Sequence, residues 1–305
     1  MRSGTINEHA HTHASGTAGT SASFDINEET AGQPSIIRQP RPGLADVHMH
    51  TNYSDGTGSI EEVLHFAQHA TPLDVIAITD HDTIEGALRA RDLAATGNYR
   101  FQVIVGEEIS TREGHMLALF LHKQVPPDLS IERSIELVHE QGGLAVVAHP
   151  FNRVFRHSVQ RSVMNRLLRQ PELHPDGIET LNGSFAGIGS SRIAMTLARN
   201  VYHWAETGGS DAHTTTAIGC ARTLFPGRTP HDLRKAILER QTAPEGSYWQ
   251  AREYVAFVSH RMVYGGGATH EDNQLQHKKV GRLRGAAQNM QTRRRERRAA
   301  AGIIS

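Results

Sequence analysis

Between residues 44 and 213, short apolar runs alternate with stretches of helical periodicity, and run after run ends in a histidine or a carboxylate. The first run reaches His48 and His50, with Asp55 in the loop just beyond. Residues 74–79 lead into Asp80-His81-Asp82, and 101–105 into Glu107-Glu108. His115 opens the run 116–121. Residues 144–148 end at His149, 177–181 at Asn182, and 207–210 at Asp211 and His213. Continuous apolar runs separated by helices predict a parallel sheet covered on its outer face. About seven such units in ~200 residues predict a closed or nearly closed barrel, whose chemistry gathers at the C-terminal ends of the strands. No Gly-x-Gly-x-x-Gly follows the first run, which argues against a dinucleotide-binding open sheet.

The helices are marked by their starts. Ser59-Ile60-Glu61-Glu62 is a capping box ahead of Val63, Phe66, Ala67 and Ala70. Asp82-Thr83-Ile84-Glu85 opens a second helix, with Asp82 as its expected cap. Ser130 caps a third, which Gly142-Gly143 ends. Further helices are expected near 158–169, 189–200 and 230–240. Residues 46–50, read as a strand, put Asp46, His48 and His50 on one face.

Nine groups thus fall at or near strand ends: His48, His50, Asp55, His81, Glu108, His115, His149, Asp211 and His213. A single histidine at a strand end has ordinary explanations; nine ligand-type side chains in phase are hard to reach by chance. One ion takes three or four protein groups, so nine groups with one shared carboxylate suit three ions. Imidazole and carboxylate without thiolate favour zinc, manganese or iron over calcium.

Asp46-Val47-His48-Met49-His50, Ser54-Asp55-Gly56, Thr79-Asp80-His81-Asp82, Gly106-Glu107-Glu108, Gly114-His115, His149-Pro150 and Gly209-Ser210-Asp211-Ala212-His213, in that order, resemble the PHP (polymerase and histidinol phosphatase) superfamily over residues 44–240. The resemblance implies a distorted (βα)7 barrel with a trinuclear metal site at its C-terminal rim and phosphoesterase activity. It implies that His48, His50, Glu108 and Asp211 hold one ion. Glu108 then bridges to a second held by His115 and His149, and Asp55, His81 and His213 hold a third. Glu108, His149 and Asp211 would be the residues on which catalysis depends. Glu107, facing the opposite way, is expected to be a neighbour rather than a ligand. Asp46, Asp80 and Asp82 could orient ligand imidazoles, and Asn182, Arg153 or Arg156 could hold a phosphate oxygen. Family members acting on nucleoside 3',5'-bisphosphates or short RNA ends carry a cap between the Glu and His-Pro motifs. Here only a strand and a helix fit between Glu108 and His149, so a more open site is expected.

Composition narrows the partners. Thirty-two basic residues balance 32 acidic ones, which excludes a globally polyanion-binding molecule, and 20 histidines stand out. Residues 1–42 read as a disordered leader, 43–245 as the barrel domain and 246–305 as a C-terminal extension. From 278 to 298 nine Lys or Arg face the single acid Glu296, a solvated tail or a tether to nucleic acid. Cys220 is the lone cysteine, no run approaches membrane-spanning length, and no secretory signal is visible, so a cytoplasmic protein is expected. The expected function is metal-dependent hydrolysis of a small phosphate monoester, a nucleotide or nucleoside 3',5'-bisphosphate among the candidates. The alternatives are an amidohydrolase-type metal hydrolase and a non-catalytic, metal-stabilised nucleic-acid adaptor.

Overall fold

The computed structural model describes residues 41–153 and 157–264. Nine strands form one sheet in the order β7-β6-β5-β4-β3-β2-β1-β8-β9. Strands β1 (Gly43–Asp46), β2 (Val75–Ile78) and β3 (Gln102–Thr111) run parallel, as do β5 (Leu144–Val147), β6 (Gly177–Asn182) and β7 (Ala205–Gly209). The two halves are joined by β4 (Gly114–Leu119), antiparallel to both β3 and β5. Strands β8 (Ala221–Phe225) and β9 (Ala243–Gly246) add an antiparallel pair beside β1.

The arrangement is an α/β fold whose sheet nearly closes into a barrel. Its seam lies between the two ends of the strand order. There Thr223 Oγ1 accepts from Gly208 N at 2.9 Å and donates to Gly208 O at 2.8 Å. Past the strand ends, His50 N donates to Ala212 O and Asp211 N to His48 O. The uniform βα repeat expected from the sequence is interrupted at β4. Thr111 pairs with Gly114 across a tight turn, too short for the crossover a parallel neighbour needs, so the chain folds back as a hairpin. Gly114 has φ +140°, and a Cβ there would lie 2.6 Å from Val159 N. The opening strand is also shorter than expected: β1 stops at Asp46, and His48 and His50 occupy the extended segment beyond it.

Helices α1 (Ile60–Ala70), α2 (Glu85–Thr96), α3 (Ile131–Glu140), α4 (Arg161–Leu168), α5 (Ser191–Leu197) and α6 (Pro230–Leu238) fall close to the expected places. Ser59 and Ser130 cap α1 and α3, and Thr229 with Asp232 forms a second capping box at α6. Asp82 does not cap α2. It sits at φ +54° and accepts from Ser110 N at 2.7 Å, and α2 begins after Ile84 without a side-chain cap.

Ala45, Val75, Ala77, Ile104, Leu117, Leu144 and Val146 pack together with Leu233, Ala236 and Ile237 of α6. On β3, Ile104 shares its face with Glu108. On β4, Leu117 and Leu119 share theirs with His115. Strand alternation therefore carries one inward face from an apolar layer to a polar rim. The second, larger cluster joins the sheet to α1–α4. Beyond β9, a segment that lacks the strand–helix pattern forms α7 (Ala251–Tyr264). No helix among the described residues is long and apolar enough to cross a membrane. The expected leader and the basic stretch 278–298 lie outside the described residues.

Candidate metal centre

All nine strand-end groups converge on one place. Glu108 is at its centre, on the inward face of β3, 1% exposed. Its Oε2 lies 3.1 Å from His48 Nε2, 3.2 Å from His50 Nε2 and 3.4 Å from His81 Nδ1. Its Oε1 lies 2.9 Å from both His115 Nδ1 and His149 Nε2. Asp211 Oδ1 stands 3.4 Å from His48 Nε2 and 3.2 Å from His50 Nε2. Asp55 Oδ1 stands 3.1 Å from His213 Nε2, 3.8 Å from His50 Nδ1 and 3.9 Å from His81 Nε2. Three overlapping groups have ligand atoms close enough to share an ion: His48, His50, Glu108 and Asp211; His81, Glu108 and His115; and His50, Asp55, His81 and His213.

The hydrogen bonding of these groups bears on their fit to cations. His48 Nε2, His50 Nε2, His81 Nδ1, His115 Nδ1 and Asp55 Oδ1 are buried and have no hydrogen-bond partner, although each faces an opposite group. Two ligands about 2.1 Å from one ion stand roughly 3.0–3.4 Å apart, depending on geometry. Most of the nitrogen–oxygen separations here have that length without the alignment of a hydrogen bond. The residues fit divalent ions.

Electrostatics agree. Burial alone would lower His50, but Asp211 and Glu108 outweigh it and raise it to about 10. His48 and His149 are raised on the same balance. Burial would raise Glu108, yet His48, His81 and His115 hold it well below the usual carboxylate range; Asp211 is likewise held down against burial by His48 and His50. His81 moves the other way, lowered by burial to about 4. A buried set of carboxylates that pulls protons onto its imidazoles is one that lacks compensating positive charge.

The backbone supports this crowding at a cost. His149 (φ +25°) and Asp211 (φ +50°) both turn through the left-handed region as their strands end. Gly209 makes room for His48: a Cβ there would fall 2.5 Å from His48 Cβ and 2.7 Å from Glu179 Oε1.

Glu179, to which the sequence reading assigned no role, orients the centre. Its Oε1 lies 2.9 Å from His48 Nδ1, while Oε2 accepts from His149 N at 2.8 Å and Asn182 Nδ2 at 2.9 Å. One carboxylate thereby fixes the ring of His48 and the backbone of His149. An acid inside the apolar strand 177–181 was the available signal. Asn182 also donates to Asp211 Oδ2 at 3.2 Å, and Ser184 Oγ lies 2.7 Å from that same oxygen. Asn182 is buried in these contacts rather than turned toward the cavity as a phosphate donor. Arg153 is exposed and does not line the cavity; Arg156 lies outside the described residues.

The three aspartates expected to orient imidazoles make backbone and hydroxyl contacts instead. Asp46 accepts from Ser210 N and Gly219 N, with burial pushing it up to about 6. Asp80 accepts from Thr51 N, Thr51 Oγ1 and Ser54 Oγ at 2.7 Å each. Glu107 turns away from the rim, as alternation requires, and accepts from Val125 N at 3.0 Å. Cys220 is free and partly buried, its thiol pushed up to about 12 by burial.

Above the centre lies a cavity of about 490 Å³. Besides the cluster it is lined by His157, Phe185, Trp249, Phe257 and Arg261, none of them expected from sequence. No lysine is among its described lining residues, and Glu108 is the carboxylate common to two of the three groups above.

A PHP domain model matches residues 46–205, more than half of the chain, and a PHP-associated model matches 192–242. The chain belongs to the PHP family. An uncharacterized protein of Methanocaldococcus jannaschii is 32% identical over 180 residues, covering 53% of this chain and 99% of that one. A 5'-3' exoribonuclease of Haemophilus influenzae is 33% identical over 105 residues, 33% of this chain and 37% of that enzyme. Among solved structures, a two-domain protein of Bacteroides vulgatus described as containing a predicted PHP-like metal-dependent phosphoesterase superposes with a TM-score of 0.57 at 19% identity, covering 75% of this chain and 74% of that one. That likeness speaks for the fold. The PHP domain match ends before β7 is complete, so Asp211 and His213 fall in the PHP-associated segment.

Proposed function

We propose that this PHP chain is a metal-dependent phosphoesterase that hydrolyses a small phosphate monoester, a nucleotide among the candidate substrates. The observation that carries this reading is Glu108, one ionised carboxylate whose two oxygens face separate groups of imidazoles at 2.9–3.4 Å. His48, His50, Glu108 and Asp211 would hold one ion, Glu108, His115 and His149 a second, and Asp55, His81 and His213 a third. Divalent ions so held supply acidified water and positive charge against phosphate oxygens. The remaining work is done by the chain. Glu179 keeps His48 Nε2 turned toward Glu108 and Asp211. Asn182 and Ser184 hold Asp211 Oδ2, leaving Oδ1 for the centre. The apolar layer below Glu108 closes the inner end of the site to water. The named activity of the Haemophilus exoribonuclease supports phosphate ester chemistry at such a centre.

The test is phosphate release from a panel of sugar phosphates, nucleotides and histidinol phosphate, with metal content measured on the same samples. Release is expected only with divalent ions present and is lost in Glu108→Gln. Turnover by metal-free protein, or unchanged turnover in Glu108→Gln, would overturn the proposal. Acyl amides in the same panel test the amidohydrolase alternative.

A further inference from the structure

The cavity has two unlike sides. The centre forms its floor. One wall comes from the loop after β6, within the PHP match, and from the chain beyond β9, outside both family-matched segments. Phe257 packs edge-on against His213 with ring centroids 5.0 Å apart, and Trp249 lies 5.8 Å from the same imidazole. Tyr254 continues the ring series, 5.2 Å from Trp249 and 3.9 Å from Phe185. Phe185, at the outer edge, is 52% exposed. Trp249 is anchored, its Nε1 donating to Ser210 O at 2.8 Å.

Arg261 stands at the side of this wall. Its guanidinium lies over Phe257 at 5.3 Å and reaches Asp55 Oδ2 at 3.4 Å through Nη1. Asp55 therefore shows one oxygen to the histidines and the other to Arg261. Among the described lining residues Arg261 alone carries a fixed positive charge. One long contact engages a group with five N–H donors, and its side chain is 40% exposed. A planar, weakly hydrated guanidinium beside an aromatic surface suits an anionic oxygen on a molecule whose other part is flat.

We propose that α7 is a substrate-gripping element: Arg261 binds an oxygen of the phosphate held over the centre, and Phe185, Trp249 and Phe257 receive a planar aromatic leaving group. The favoured substrates are then aryl or heteroaryl-bearing phosphate esters rather than aliphatic ones. This rests on the phosphoesterase reading and adds the recognition of the leaving group. The cavity falls within the size range of small-molecule sites and exceeds what inorganic phosphate alone would fill.

Binding of phenylphosphonate and methylphosphonate to the full chain, with zinc or manganese present, tests this by calorimetry. Phenylphosphonate is expected to bind about tenfold tighter, the lower part of the range for ring stacking on an aromatic side chain. F185A and F257A should bring the ratio near one; Phe185 is exposed at the rim, so F185A tests the wall without disturbing His213. R261M should weaken both ligands while keeping their ratio and full metal content. Equal affinities in the wild type, a ratio that survives F185A and F257A, or loss of metal from R261M would each overturn the proposal. Phosphate release measured in parallel separates the two readings. Release without aryl preference removes only the role of the wall, and aryl preference without release from any ester removes only the phosphoesterase.

Discussion

Glu107 and Glu108 are neighbours on β3 and face opposite regions of the molecule. Glu108 points to the rim, where surrounding imidazoles keep it ionised despite complete burial. Glu107 points behind the strand, where burial, one amide from Val125 and the nearby charge of Asp82 leave it at about 8, with Oε1 unpartnered. Residue type, strand and depth are the same; what differs is the charge each side offers. A buried carboxylate stays ionised only where positive charge meets it, and otherwise it keeps its proton.

The largest expected effect separates the pair outright. Glu108→Gln removes a charged atom from between the imidazoles. It should lower metal occupancy and phosphate release more than a hundredfold, beyond the roughly 10–100-fold cost of losing an outer contact. Glu107→Gln should leave both near wild type, as read by metal analysis and turnover.

Next comes Glu179→Gln, which keeps the shape but weakens the hold on His48 and His149. Metal affinity, measured by competition with a chelator, should fall about 10–100-fold. No change would mean that the rings are held by packing alone.

The third effect is on pH. Without cations His50 holds a proton up to about 10, and His48 and His149 are raised as well. Ligation needs neutral rings, so ions displace protons and apparent affinity should rise about tenfold per pH unit for each proton released. Calorimetry in buffers of different ionisation enthalpy counts those protons; zero would break the electrostatic account.

The smallest effect on the site concerns the far face. Glu107 gives up its proton near 4.5 when unfolded and about 8 when folded. Between those values only the unfolded chain ionises, so wild-type stability should decline as pH rises through that window. Glu107→Gln mimics the neutral acid and lacks the decline. The variant should gain on the wild type by on the order of a few kcal/mol between pH 4.5 and 8. Parallel denaturation profiles would contradict a protonated Glu107.

Much of this centre was legible because its parts are periodic. Alternation on β3 assigns Glu108 and Glu107 to opposite faces before any coordinates are known. Runs ending in His81, His149 and Asp211 mark the rim because parallel strands deliver their last residues to the same end. Capping by Ser59 and Ser130 was local and equally visible. Asp82 misled for the opposite reason: a cap signal competes with any other donor nearby, and Ser110 N, brought in by β3, won. The antiparallel β4 escaped because apolar runs look alike in either direction.

The sequence by itself determined the donor set, its order and its spacing, since strand period and residue chemistry need no partner to be read. Only tertiary structure decided which donors share an oxygen of Glu108, that Glu179 and Asn182 serve those donors, and that α7 walls the cavity. Those relations join residues far apart in the chain, such as Arg261 and Asp55, through contacts that exist only after the barrel has nearly closed and α7 has packed over its mouth.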